Sequence, residues 1–278
     1  MRRSLVLAML LGLSPSSGTA LEHGQSIPFR SQDSDVVVPV HVGGRGPYQF
    51  LLDTGSSRSA IAARLANELR LEPAGTTAVL TPTRRITRAT VRAGIALGGT
   101  RTNVEAMVLP SSDLGHGIDG IVAIDFLAAL RFTIDYAARR VVFNAPRDAN
   151  GGTPVCLTHD SAGFFVSIPL RDGGKPLRLI PDSGTARFVL FAREGRQLRG
   201  VRPYGFVPLE TVGGLAVERA VLLERMRIGG IEVADQLAVV VDRPHIDARL
   251  GDGLLPLHLF AQVAFDAPAG LLTLFPYR

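Results

Sequence analysis

The stretch Phe50-Leu51-Leu52-Asp53-Thr54-Gly55-Ser56-Ser57 decides the reading of this sequence, because a second version of it stands at Leu179-Ile180-Pro181-Asp182-Ser183-Gly184-Thr185-Ala186. In both, an apolar run passes straight into Asp, a hydroxyl residue, Gly and another hydroxyl residue. One Asp-(Thr/Ser)-Gly is a common turn, but two at matched places demand a shared cause.

Working outward, further blocks recur in the same order. Upstream, alternating Val36, Val38, Val40 and Val42 match Phe164, Val166, Ile168 and Leu170. Each run leads through a glycine turn, Gly43-Gly44-Arg45-Gly46 or Asp172-Gly173-Gly174-Lys175, into the strand that ends at the Asp, which reads as a hairpin. Downstream, Ile95-Ala96-Leu97-Gly98-Gly99 matches Met226-Arg227-Ile228-Gly229-Gly230, and Asp119-Gly120-Ile121-Val122 matches Asp252-Gly253-Leu254-Leu255. Blocks in register predict two similar β-rich halves, residues 30–148 and 160–278, joined around Asn150-Gly151-Gly152. A helix is expected on Ile61, Leu65 and Leu69 with Ser59 as its cap, and a short one over Phe126 to Leu130.

Composition points the same way. With 46% hydrophobic residues the chain can bury a core, and 30 Gly with 18 Pro spread along it suit many short strands and turns. The net charge of +5 comes from Arg, Lys175 being the only Lys. The dense basic stretches, Arg84, Arg85 and Arg88, then Arg193, Arg196, Arg199 and Arg202, lack interleaved aromatics, so they read as solvated faces and not as a nucleic-acid site. Residues 1–20 read as an export signal: Arg2 and Arg3, the apolar run Leu5 to Leu13, and the small residues Gly18-Thr19-Ala20. An exported protein, periplasmic or secreted, is expected, with no membrane anchor in the mature chain. Cys156 is the only cysteine, which rules out an intrachain disulfide, and its apolar setting Pro154-Val155-Cys156-Leu157 between the halves predicts burial or linker packing, not catalysis.

The paired motif carries a definite chemistry. Glycine lets the backbone bring its N–H to the carboxylate, and the next hydroxyl, Ser56 or Thr185, can donate a second hydrogen bond. If the halves are related by a two-fold axis, Asp53 meets Asp182 and the pair shares one proton. The ionised member then draws a proton from a water attacking a carbonyl carbon, while the protonated member donates to the carbonyl oxygen. No metal or cofactor is required. Hydroxyl donation favours the ionised form, so an acidic optimum is expected.

Other chemistries find less support. The six His residues show no ligand spacing for zinc, and there is no Gly-x-Ser-x-Gly. Gly115-His116-Gly117-Ile118-Asp119-Gly120 fits a dinucleotide fingerprint in letters but lacks a surrounding βαβ pattern. A glycosidase would hold its two carboxylates farther apart.

The two Asp motifs and their two Asp-Gly-apolar partners resemble the aspartic peptidases, especially the retropepsin-like lobes of bacterial chains, here two lobes fused in one chain. The resemblance implies an all-β fold with one or two short helices and two pseudo-two-fold-related lobes of the pepsin and retropepsin type. It implies an aspartic endopeptidase with Asp53 and Asp182 as the catalytic pair, Thr54 and Ser183 bonding across the lobe interface, and Gly55, Ser56, Gly184 and Thr185 supporting the carboxylates. The substrate would be an extended peptide or protein segment, and a monomer would suffice. The chain departs from the family pattern at Thr81-Pro82-Thr83-Arg84-Arg85-Ile86, where a glycine-bearing flap tip is usual, and at Ala123 and Pro256, where Gly is usual; Val212-Gly213-Gly214 is an ordinary tip. The competing reading is the same fold without catalysis, as a peptide-binding or scaffold protein.

Overall fold

A computed structural model describes residues 24–32, 34–80, 85–144, 151–169, 175–192, 201–211, 214–224, 226–233, 235–242 and 248–278. The expected export signal lies outside the described residues, as do Thr81 to Arg84, Val212-Gly213, Arg193, Arg196 and Arg199, Asp172 to Gly174, and Asn150. The fold is mostly β.

In the first half the strands are β1 (Gln25–Pro28), β2 (Arg30–Gln32), β3 (Asp35–Val42), β4 (Arg45–Leu52), β5 (Ala60–Ala62), β6 (Pro73–Leu80), β7 (Arg85–Leu97), β8 (Thr100–Leu109), β9 (Gly120–Val122), β10 (Arg131–Asp135) and β11 (Arg140–Phe143). The second half has β12 (Thr153–Asp160), β13 (Gly163–Ile168), β14 (Leu177–Asp182), β15 (Phe188–Phe191), β16 (Arg202–Thr211), β17 (Gly214–Leu223), β18 (Met226–Ile228), β19 (Ile231–Val233), β20 (Gln236–Val241), β21 (Gly253–Pro256), β22 (Gln262–Asp266) and β23 (Leu271–Phe275). The sheet orders repeat: β2-β3-β4-β9-β5-β8-β7-β6 in one lobe answers β12-β13-β14-β21-β15-β20-β17-β16 in the other.

Val36, Val38, Val40 and Val42 are all buried along β3, and Gly43 and Gly44 take positive φ in the turn that folds β4 back on it. The next strand in each lobe explains the Asp-Gly-apolar blocks. β9 lies parallel beside β4, with Leu51 opposite Ile121, and β21 lies parallel beside β14, with Ile180 opposite Leu254. Asp119 accepts the Gln49 N–H at 2.8 Å and Asp252 accepts the Arg178 N–H at 2.9 Å, so each block pins the strand that delivers the motif Asp. A side chain on Gly120 would strike Phe50 and the Ala60 carbonyl, so the close approach of three strands requires Gly there.

Between the lobes runs a shared six-strand stretch, β1-β11-β10-β22-β23-β12, three strands from each half. Its centre is the antiparallel pair β10 and β22, in which Thr133 faces Ala264, Arg131 faces Asp266 and Asp135 faces Gln262. That register is what a two-fold axis through the middle of the pair requires. Phe132 and Phe265 stack across it at 4.6 Å between ring centres.

Three sequence expectations need correction. The first helix, α1, covers Ala63–Glu68 only, because Ala60 to Ala62 are taken by sheet pairing with β8 and β9; its N-cap is Ala62, and Ser59 is not a cap. The second, α2, is Ile124–Leu127, earlier than expected, since Arg131 already begins β10. Cys156 is exposed. Alternation along β12 turns Leu157 into the core and Cys156 outward, a choice that the apolar run Val155 to Leu157 leaves open. A water-soluble thiol reagent should therefore label Cys156 stoichiometrically in the native protein; labelling only after denaturation would contradict this orientation.

Candidate active site

Both motif loops begin where a core strand ends. Asp53 leaves β4 with its N–H on the Val122 carbonyl at 2.9 Å, and its Oδ1 accepts the Gly55 N–H at 2.8 Å and the Ser56 N–H at 3.0 Å. Asp182 accepts the Gly184 N–H at 2.7 Å. The hydroxyls behave differently from expectation. Ser56 donates to the Arg58 carbonyl at 3.1 Å and Thr185 to the Arg187 carbonyl at 2.9 Å, closing their own loops. Backbone N–H groups orient the carboxylates, and the hydroxyl argument for an acidic optimum falls with that correction.

Thr54 and Ser183 interlock the two loops. The Thr54 hydroxyl donates to the Pro181 carbonyl at 2.7 Å and accepts the Ser183 N–H at 3.1 Å. Reciprocally, the Ser183 hydroxyl donates to the Leu52 carbonyl at 2.6 Å and accepts the Thr54 N–H at 3.1 Å. Both side chains are fully buried, so losing either hydroxyl strands a carbonyl and an N–H away from water. Thr54→Val and Ser183→Ala should each cost about 1–3 kcal/mol in urea unfolding. Because they share partners, the double variant should fall short of the sum; full additivity would mean that the four bonds do not act as one unit.

The loops also exchange space. A Cβ on Gly55 would lie 2.3 Å from Asp182 Cγ, and one on Gly184 would lie 3.1 Å from Asp53 Cγ. Each carboxyl thus packs over the glycine of the opposite loop, which brings the two carboxyl groups close enough to shift each other's pKa.

Residues 38–126 and 168–258 each match the aspartyl protease family, together more than half of the chain. The chain belongs to the aspartyl protease family. Among solved structures it is similar to the aspartic proteinase from Irpex lacteus, with a TM-score of 0.55 and 16% identity over 91% of this chain and 97% of that one, a likeness of fold. No match was found among curated proteins.

In this aspartyl protease the two Asp residues are not electrostatically equal. Burial raises the pKa of Asp53 above the ordinary carboxyl value of 3.8, opposed by the Gly55 and Ser56 N–H groups and by the hydrogen bond with Asp182. Burial raises Asp182 well above the same value, and the charge of Asp53 adds to it, with only the Gly184 N–H in opposition. Two N–H donors against one favour the anion on Asp53 and the shared proton on Asp182. Asp53 also keeps part of its surface open, whereas Asp182 is 6% exposed.

Sequence reasoning missed Ser59 and Asp125. The Ser59 hydroxyl donates to Asp125 Oδ1 at 2.5 Å and accepts the Ala123 N–H at 3.1 Å, while the Ile124 N–H bonds the Ser56 carbonyl at 3.1 Å. This ties the first motif loop to the start of α2. The corresponding pair in the second lobe is Phe188 and His258, so no repeat announced it. Ala123 stands without strain where the family favours Gly, because its φ is −120°. Pro256 lies opposite Asp182 in the β14 and β21 ladder with φ −68°.

Among the described residues no group of three His, Cys, Asp or Glu is placed to hold a metal. Gly115 and Gly117 sit in a turn leading to β9, with no βαβ unit around them. A basin of about 1000 Å³ lies on the shared sheet, lined by residues such as Arg131, Asp135, Arg140, Gln262 and Tyr277, and contains neither Asp53 nor Asp182.

Proposed function

We propose that this protein is an endopeptidase that hydrolyses peptide bonds with a water held between Asp53 and Asp182. The observation that carries the reading is the carboxyl pair, each member seated over the opposite loop's glycine, in which backbone donors favour charge on Asp53 and a proton on Asp182. Asp53 takes a proton from the water as its oxygen bonds to the scissile carbonyl carbon, and Asp182 gives its proton to the carbonyl oxygen. The resulting tetrahedral diol then breaks its C–N bond: Asp53 returns its proton to the departing nitrogen and Asp182 recovers one from a diol hydroxyl as the new carboxyl forms. Substrate would lie extended between the hairpins β6–β7 and β16–β17, bonding through its main chain. One chain supplies both Asp residues, so a monomer suffices, and residues 1–20 support export to the periplasm or beyond.

Activity needs one proton on the pair. It should fall at low pH as Asp53 gains a second and at high pH as Asp182 loses the first. Since both pKa values are raised, the window sits above the ordinary carboxyl range. The test is incubation of the purified mature chain with a mixed peptide library between about pH 3 and 8, reading new termini by mass spectrometry. Binding of library peptides without cleavage at any pH would replace this reading with that of a peptide-binding protein of the same fold.

A further inference from the structure

The two motif loops share their letters but not their anchorage. In the first, the Ser59 hydroxyl donates to Asp125 Oδ1 at 2.5 Å and accepts the Ala123 N–H at 3.1 Å, while the Ser59 N–H donates to both Asp125 oxygens at 3.0 Å. Ser59 is fully buried and Asp125 is exposed. Next to Asp125, the Ile124 N–H donates to the Ser56 carbonyl at 3.1 Å, and the Ser56 N–H donates to Asp53 at 3.0 Å. A bonded path thus leads from Asp125 and the start of α2 to Asp53.

Every part of that path is replaced in the second lobe. Phe188, fully buried, stands for Ser59 and has no hydroxyl; Pro256 stands for Ala123 and has no N–H to give. His258 stands for Asp125, and its buried Nδ1 has no hydrogen-bond partner among the described residues. The Leu257 N–H, counterpart of that of Ile124, makes no bond to the Thr185 carbonyl among the described residues. Asp182 there accepts the Gly184 N–H at 2.7 Å, with no bond from the Thr185 N–H. The lobe with the anchored loop gives its Asp two N–H donors, and the lobe without gives one.

We propose that Ser59 and Asp125 are positioning residues for the carboxyl pair: together they hold Ser56 so that its N–H points at Asp53, and so select Asp53 as the member that carries the charge. They act through the loop, since an N–H turned onto a carboxylate favours its ionised form, whereas the field of Asp125 would oppose it. The elements packed here bring further charges. The loop itself carries Arg58, which donates to the Glu105 carbonyl at 3.3 Å and favours the anion of Asp125. Strand β8 carries Arg101 and Glu105, whose carboxylate accepts the Thr90 hydroxyl at 2.7 Å, and α1 carries Glu68 and Arg64, the latter paired with Asp119. The charge of Asp35 reaches Asp182, and Tyr136 is kept neutral by burial. All of these stay in place in the variants that follow.

The inference rests on the assignment of charge to Asp53 in the proposed reaction, and half of its test needs no turnover. In a carboxyl carbon NMR titration of Asp53 and Asp182, Ser59→Ala and Asp125→Ala should each raise the lower apparent pKa of the pair, so that its midpoint comes at a hydrogen-ion concentration about threefold lower. Asp125→Asn removes the charge yet leaves an oxygen for the Ser59 hydroxyl, and should titrate like the parent. Should one alanine variant fail to fold, the other carries the test. A lowered pKa in Asp125→Ala would show its charge acting through space, and an unchanged one in a folded alanine variant would show that the loop needs no such anchor; either result overturns the proposal. In kcat/KM the low-pH limb should move to higher pH, the ratio of activity at pH 4 to that at pH 6 falling by about threefold in the alanine variants and not in Asp125→Asn. A raised pKa in a protein that cleaves nothing upholds the positioning role and discards the peptidase reading instead.

Discussion

Asp182→Asn is expected to reduce peptide hydrolysis by at least about 10³-fold and, at pH 7, to raise the melting temperature by about 3 °C or more. The two effects have one cause. Asp182 is the proton donor of the proposed reaction, and an amide cannot take that role. Its pKa is raised in the folded chain by burial first and by Asp53 second. A carboxyl with a raised folded pKa stabilises the fold fully below its unfolded value, and that stabilisation is lost as pH rises through the folded value. At neutral pH the pair is therefore a liability that the uncharged amide removes. The gain should shrink towards zero near pH 4, as protonation relieves the parent as well. Calorimetry at the two pH values checks the sign, and a variant that melts lower than the parent at pH 7 would contradict this electrostatic account. Asp53→Asn should lose as much activity with a smaller thermal gain, because Asp53 has two N–H donors matched to its charge.

Gly55→Ala should reduce kcat/KM by about 10²-fold or more, and Gly184→Ala by about tenfold, although the two glycines look alike in sequence. No real Cβ tolerates a neighbour at 2.3 Å, so in Gly55→Ala either the Asp182 carboxyl or the loop must move. Misplacing a reacting group by about 1 Å can cost on the order of 10²-fold. At Gly184 the approach is 3.1 Å, which a shift of a few tenths of an ångström relieves. Equal losses in the two variants would show that the carboxyls are not seated over the glycines unequally. Circular dichroism of both should remain that of the parent.

Much of this was legible because each block occurs twice. The alternating valines, the Asp motifs and the Asp-Gly-apolar strands predict two like lobes meeting at their Asp residues, and the ladders β4–β9 and β14–β21 are why those blocks repeat. What eluded the sequence lacks a repeat or depends on direction. Ser59 and Asp125 meet across a separation of 66 residues and have no counterpart in the other lobe. Whether Ser56 and Thr185 offer a carboxylate their hydroxyl or their N–H is set by backbone geometry that the same letters permit either way. The outward turn of Cys156 and the loss of Ala60 to Ala62 from the first helix were both decided by sheet partners distant in the chain.

The shared sheet imposes a calendar on the molecule. Strand β10 is made early, but its partner β22 arrives about 130 residues later, among the last strands described. Closing so long a loop is slow, and until it closes β10 is an open sheet edge able to pair with a neighbouring chain. A half-made chain is consequently vulnerable as a folding intermediate, and the late strand that ends its exposure also fastens to each other the halves that carry Asp53 and Asp182.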